Sequence, residues 1–515
     1  MKKTYFFIAA LYALSAFIAA DAAETELNQT VQSARPNIVF IYTDDHAYQA
    51  IGAYGQKFLP AGETPTPQMD RLASQGAIYT NCCVTNSICG PMRAVLQTGK
   101  YSHKNGFLSN DGKSFDISQQ TFPKLLQKAG YATAIVGKWH LKCSSQPGYD
   151  YSETLIDQGP YFNPVMTRNG KQVKHTGYTT EIITDLCLNW LENERDKSKP
   201  FMLMCHHKAT HRNWIPTPKY YNRFKDKTFP LPDNFFDDYA GRDAAKAADM
   251  TIARTMNEND LKLKPVPNYL NAEQKEMWHN MYDSRVEEYK ALKARGISEK
   301  EMTQWKYQCY MRDYLAVAAA VDDSVGQILD YLDKSGLAEN TIVIYSSDQG
   351  FYTGEHGWFD KRFMYEESFK TPMIVRWSGV VKPGQKNNVM VSPLDFAETF
   401  LDIAQAPIPS DMQGRSLLPI FKNGTTPEDW RKSFYYHYYE YPAEHSVKRH
   451  EGVYDGRYKL IHFYNDINKW ELFDLESDPT EMNNLIEKEE FQPIIERLKS
   501  ELENQKRILE VPPRN

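Results

Sequence analysis

Apart from one run near its start, the 515-residue chain has no stretch long and apolar enough to span a membrane. None of its seven cysteines (Cys82, Cys83, Cys89, Cys143, Cys187, Cys205, Cys309) forms a Cys-x-x-Cys pair, so neither a zinc site nor a disulfide scaffold is signalled. The formal net charge is only −6, too slight to draw the chain to nucleic acid. Any anionic ligand must instead be attracted by local positive charge. Internal repeats and low-complexity tracts are absent. With 41% hydrophobic and 24% charged residues, disorder and a fibrous architecture are excluded as well.

The one apolar run is informative. Lys2 and Lys3 precede Tyr5 to Ala20, and the small residues Ala20, Ala22 and Ala23 follow, the pattern of a secretory signal peptide over residues 1–22. The run is short for a span, and no cysteine stands at the cleavage region. The expectation is an exported, periplasmic protein with neither a membrane span nor a lipid anchor. An odd cysteine count in such a protein leaves at least one thiol unpaired or chemically special.

The length exceeds what one hydrophobic core supports, so two lobes are expected, residues 35–380 and 381–515. Across the first, short apolar runs alternate with helical stretches, which predicts an α/β lobe: a large, mostly parallel sheet covered by helices on both faces. Asn37 to Tyr42, Ala132 to Val136, Phe201 to Cys205 and Ile342 to Tyr345 read as buried strands; Phe122 to Ala129, Tyr178 to Glu194 and Trp305 to Leu337 read as helices. Residues 216–300, rich in charge and proline, read as an insertion. After about Val380 the rhythm changes: Ser433 to Tyr439, Glu451 to Tyr454 and Tyr458 to His462 suit antiparallel strands, and Glu489 to Leu509 a closing helix. The second lobe is therefore a smaller α+β unit.

Each of the four strands runs into chemically capable residues: Thr43-Asp44-Asp45-His46, Gly137-Lys138-Trp139-His140, His206-His207-Lys208 with His211, and Ser346-Ser347-Asp348-Gln349-Gly350. In an open α/β sheet the ligand site lies beyond the carboxyl ends of the strands. Asp44 and Asp45 repel unless neutralised, and with Asp348 and Gln349 they make an oxygen donor set suited to calcium or magnesium. Taken alone, Asp44-Asp45 serves equally well as a helix cap. Arg93, Lys138, Lys361, His140 and His211 supply what a pocket for a small tetrahedral anion needs, fixed cations and a general acid. Lys361 by itself, in Asp360-Lys361-Arg362, also fits an ordinary solvated loop.

The segment Ser87-Ile88-Cys89-Gly90-Pro91-Met92-Arg93, continued to Thr98-Gly99-Lys100, resembles the Cys-x-Pro-x-Arg signature of type I sulfatases. The other blocks stand in that family's order from about residue 36 to 380. The resemblance implies an alkaline-phosphatase-like fold and a Cys89 oxidised to formylglycine by a maturation enzyme. The hydrated aldehyde attacks sulfur and carries a covalent sulfate. Asp44, Asp45, Asp348, Gln349 and the modified Cys89 resemble the ligands of one Ca2+ or Mg2+ ion. Arg93 matches the arginine that steadies the hydrate, Lys138 and Lys361 the lysines that hold the sulfate, His211 the acid for the leaving oxygen, and His140 the base that expels sulfate. Met92 stands where serine or alanine is usual, and Gln349 where asparagine is.

Cys89 to Phe107 and Gly354 to Ser368 look closest to sulfatases acting on 6-sulfated N-acetylglucosamine in heparan- or mucin-type glycans. Asp360 and Arg362, with His445 and His450 on a C-terminal loop, are candidate sugar contacts, with solvated loops as the alternative. A phosphomonoesterase on the same scaffold, a catalytically inert glycan binder and a broad arylsulfatase remain as competing functions.

Overall fold

The structure, a computed structural model, describes residues 35–513; the segment read as a signal peptide lies outside them. Ten strands form one sheet, whose order from edge to edge begins at Gln385–Asn387 and ends at Lys171–Lys174. They are β1 (Asn37–Thr43), β2 (Ala77–Tyr79), β3 (Ala132–Lys138), β4 (Tyr151–Leu155), β5 (Val165–Arg168), β6 (Lys171–Lys174), β7 (Phe201–His206), β8 (Thr341–Ser347), β11 (Met373–Trp377) and β12 (Gln385–Asn387). The central run β8-β1-β7-β3-β4 is parallel, while β11, β5 and β6 pair antiparallel toward the edges. A two-residue ribbon, β9 (Tyr352–Thr353) with β10 (Phe359–Asp360), carries the loop beyond β8.

Side-chain alternation along β1 shows why the sheet is buried on both faces. Val39 and Ile41 enter one core, whereas Ile38, Phe40 and Tyr42 enter the other. Among the helices are α1 (Pro67–Ser74), α2 (Cys89–Thr98), α3 (Phe122–Lys128), α4 (Thr179–Asn189), α5 (Ala272–Ala294), α6 (Glu299–Lys334), α7 (Phe396–Ile403) and α8 (Gln492–Ile508). The 36-residue α6 begins earlier than its apolar pattern suggests because Ser298 and Glu301 form a capping box. Within residues 216–300 lies the 23-residue α5, whose buried stripe includes Gln274 and Arg285 beside Trp278, Met281 and Tyr282. Those polar members hide its periodicity.

A four-stranded antiparallel sheet, β13 (Phe434–Tyr438), β14 (His450–Tyr454), β15 (Tyr458–Phe463) and β16 (Lys469–Asp474), forms the second lobe with α8. The lobe boundary expected at 380 is corrected to about 430, because β12 joins the large sheet and Phe396, Phe400 and Trp430 pack in its core. The second lobe docks through a third core in which Met92, Tyr365 and Phe369 meet Tyr436, Val453 and Phe473. All seven cysteines are free thiols, and no helix among the described residues is long and apolar enough to cross a membrane.

Candidate active site

The adjacent parallel strands β8, β1, β7 and β3 end side by side, with Thr43 opposite Ser347, and Tyr42 and Gly137 both opposite His206. Asp44, Asp45 and Asp348 therefore converge: oxygens from all three lie within 4.8 Å of one another. All are essentially inaccessible to water. The Asp45 N–H donates to Asp348 Oδ1 (3.1 Å), and Gln349 Nε2 donates to Asp45 Oδ1 (2.5 Å). Burial and the neighbouring carboxylates push Asp348 well above its ordinary range, and Asp45 up to about 7 even with Lys361 opposing. Burial acts on Asp44 in the same sense, but Lys138, His211 and Arg93 outweigh it and hold that carboxyl well below its usual value. Asp44 Oδ1 and Gln349 Oε1 are buried with no hydrogen-bond partner. Unpartnered oxygens amid crowded carboxylates fit a hard divalent cation such as calcium or magnesium. The reading of Asp44-Asp45 as a mere cap is set aside.

Cys89 is the first residue of α2, at the positive end of the helix, and is 1% exposed. Pro91 sits in the first turn, where its missing N–H costs nothing, and Arg93 follows at i+4 on the same face. This is the physical content of the Cys-x-Pro-x-Arg spacing. Arg93 donates to Asp348 (2.9 Å) and to the Lys138 carbonyl (3.1 Å). Burial raises the Cys89 pKa, yet Lys138, His140 and Lys361 overcome it and hold the thiol well below its usual value. Met92 points into the lobe junction and accepts from the Thr85 hydroxyl (3.2 Å), so this departure from the family pattern is a packing difference.

Lys138 pairs with Asp44, and Lys361 lies 2.6 Å from Asp45, which removes the solvated-loop alternative for Lys361. His140 Nε2 lies 3.3 Å from Asp157 and 3.1 Å from Gln158 Nε2, and the ring also bonds the Cys89 side chain. Burial lowers its pKa, but Cys89 and Asp157 outweigh that and leave it raised. His211 Nδ1 donates to the Arg212 carbonyl (2.7 Å), leaving Nε2 facing the carboxylates, 3.9 Å from Asp45. Burial holds its pKa well below the ordinary imidazole value.

Asp360 and Arg362 form a buried ion pair (2.7 Å). His445 is a correction: its Nε2 meets Asp360 Oδ2 (2.8 Å) and its Nδ1 donates to the Asp249 carbonyl (2.7 Å), so it braces Asp360 rather than facing a sugar. Asp45, His140, Asp360, Arg362 and His445 all take positive φ, from 57° to 99°, a conformation that clusters where function constrains the backbone. His450 is a correction: it lies on β14, fully buried between the rings of Phe363 and Tyr436. Its Nε2 accepts from the Met364 N–H (3.2 Å) and Nδ1 donates to the Lys448 carbonyl (2.7 Å), so no nitrogen is left for a ligand.

A cleft of about 500 Å³ joins Cys89, His211, Lys361, Asp360 and Arg362. It also exposes residues that no motif marked: Asn110, whose Nδ2 lies 3.4 Å from Cys89 Sγ, and Gln158, which bonds Lys138 at 2.5 Å. Asn110 is fixed by accepting from the Gly90 N–H (3.1 Å) and by donating its own N–H to Glu440 of the second lobe. A larger groove of about 710 Å³ beside Tyr221 and Met281 has no cysteine or histidine in its lining.

The family profile described as "Sulfatase" matches residues 36–406, and "N-sulphoglucosamine sulphohydrolase, C-terminal" matches residues 354–508. The chain belongs to the sulfatase family. A curated N-acetylglucosamine-6-O-sulfatase of Bacteroides thetaiotaomicron is 49% identical to this sulfatase over 90% of the chain and 85% of the relative. The N-acetylglucosamine-6-sulfatase of Capra hircus is 27% identical over 78% of the chain and 66% of its own length. A solved structure in complex with its substrate, D-glucosamine-2-N,6-O-disulfate, superposes with a TM-score of 0.88 at 46% identity, covering 92% of this sulfatase and 98% of that chain.

Proposed function

We propose that this sulfatase removes the 6-O-sulfate from terminal N-acetylglucosamine of heparan- or mucin-type glycans, using a formylglycine made from Cys89. The observation that carries the reading is the buried Asp360–Arg362 pair fixed beside Lys361 in the cleft, with His445 behind it bracing Asp360. The pair offers hydrogen bonds for sugar hydroxyls one residue from a sulfate-binding ammonium. The 49% identical N-acetylglucosamine-6-O-sulfatase supports the same sugar, and the cleft volume suits one sulfated monosaccharide.

Asp44, Asp45, Asp348, Gln349 and the modified Cys89 would hold a divalent cation, calcium first by its all-oxygen set, whose chemistry is to polarise a sulfuryl oxygen as a Lewis acid. Lys138 and Lys361 donate to the non-bridging oxygens. Arg93 orients the oxidised side chain of Cys89. His211 Nε2 takes up a proton as the negative sulfate ester enters beside it, and passes that proton to the departing sugar oxygen. His140, bonded to the Cys89 side chain, takes the proton whose loss expels sulfate. Because Cys89 is 1% exposed, the maturation enzyme must act before the lobes close, and export as an unfolded chain to the periplasm follows the same order.

The acidic set Asp360, Glu444 and His445 is already occupied by cations: Arg362 holds Asp360 and Arg212 holds Glu444 (2.8 Å). It does not supply the second metal site that a two-metal phosphomonoesterase needs. Sulfate release from the 6-sulfate and 3-sulfate of N-acetylglucosamine, from nitrophenyl sulfate, and phosphate release from the 6-phosphate, test the reading together. Turnover of the 6-sulfate well above the other three is expected. Preference for the aryl sulfate or the phosphate would overturn it.

A further inference from the structure

Lys208 follows the end of β7 by two residues, and the His211 N–H donates to its carbonyl (3.1 Å), so one tight turn carries both residues. The Lys208 side chain lines the cleft together with Cys89, His211 and Lys361, and the residue is 5% exposed. The other cations around it rest on carboxylates: Arg93 on Asp348, Lys138 on Asp44, Lys361 on Asp45, Arg212 on Asp260. Among the described residues, no hydrogen bond or ion pair reaches the Lys208 ammonium. It lies over the Tyr161 ring, 5.0 Å from the ring centre.

A buried ammonium without a counter-ion is strongly disfavoured, and a ring face compensates only in part. Burial and the like charge of Lys138 lower its pKa to about 8, with Asp44 and Asp45 opposing, so the group still carries its proton at neutral pH. The charge is kept at a cost to the fold, and the cleft that Lys208 lines is open to an anion that can answer it.

We propose that Lys208 is a further catalytic residue, an ammonium that donates to the sulfate ester from the leaving-group side, next to His211. The proposal rests on the reading of this cleft as the sulfate-ester site. As the bond between sulfur and the bridging oxygen breaks, its electron pair passes to that oxygen and the His211 proton follows. Lys208 keeps its proton and stabilises the charge that grows there. Lys208 thus does for the bridging oxygen what Lys138 and Lys361 do for the others.

The test is Lys208→Met, which keeps the length of the stem and removes the charge, with Lys208→Arg beside it and Cys89 conversion verified in each. The expected result is a fall of about 100-fold in kcat/KM on N-acetylglucosamine-6-sulfate, the scale of losing one oriented donor. The fall on 4-nitrophenyl sulfate, whose leaving oxygen needs less help, is smaller, and Lys208→Arg recovers part of both. In a Cys89→Ser background, Lys208→Met weakens calorimetric binding of inorganic sulfate about 10-fold. Its Tm holds or rises, because an uncompensated buried charge has gone.

Rates within about 3-fold of wild type on both substrates, with sulfate binding unchanged, overturn the proposal. So does a fall in Tm with equal rate losses on both substrates for Met and Arg alike, the mark of a structural role. Wild-type protein that cleaves the aryl sulfate and ignores the sugar sulfate defeats the sugar assignment alone, while Lys208 is still read on the aryl ester and on sulfate binding.

Discussion

Asp44, Asp45 and Asp348 sit where water hardly reaches, and their repulsion is answered only in part by Lys138, Lys361 and Arg93. A divalent cation bound there stabilises the folded state by mass action, about 2.7 kcal/mol at 100 times its Kd. Chelation is therefore expected to lower the Tm and abolish turnover, and calcium to restore both in a thermal-shift titration. In Asp348→Asn the response to calcium should disappear. Asn110 presents a different case, since it touches the nucleophile without belonging to any motif. Asn110→Ala should lower kcat by roughly 10- to 100-fold with little change in KM, the range seen when groups that orient a reacting residue are lost. A KM effect alone in steady-state kinetics would contradict that assignment.

Secondary-structure elements explain which parts of the site were legible. The four buried strands and their polar ends could be read because uninterrupted apolar runs stop abruptly at Asp, Lys, His and Ser, and Cys89 and Arg93 because helical spacing ties them together. Asn110 and Gln158 could not be read, because both lie on loops where spacing carries no geometric meaning. His450 misled for the opposite reason: its chemistry invites a functional role, but on β14 its ring fills an aromatic stack. Tyr436 on β13 shows how the second lobe supports the first, accepting from the Ser87 N–H (3.1 Å) and donating to the Arg362 carbonyl (2.6 Å). Tyr436→Phe strands both backbone groups, each worth about 1–3 kcal/mol when buried and unpaired. A lower Tm together with reduced kcat is expected, and a change in neither would refute the coupling. On β16, Glu471 is fully buried against the Tyr365 hydroxyl (2.7 Å), and burial raises its pKa to about 8. The folded protein then holds a proton that the unfolded chain loses near its ordinary value, so stability falls as pH rises from about 4.5 to 8. Glu471→Gln should flatten that decline, with the gain over wild type largest near pH 8 in thermal melts.

At the scale of the whole molecule the two lobes share a core, and α2 with its Cys89 is wedged between them. One unfolding transition in calorimetry is expected, because the third core cannot survive loss of either side; two separated transitions would contradict this. The same burial shields Cys89 from solvent, so the proposed conversion to formylglycine would have to precede closure of the lobes. Every catalytic role argued above depends on that conversion. The most direct test is peptide mass spectrometry of the fragment containing Cys89, from protein made in a host with a sulfatase-maturation enzyme. A peptide about 18 Da lighter than the thiol form, with sulfate release rising in proportion to the converted fraction, is the expected result. An intact thiol in fully active protein would contradict the account.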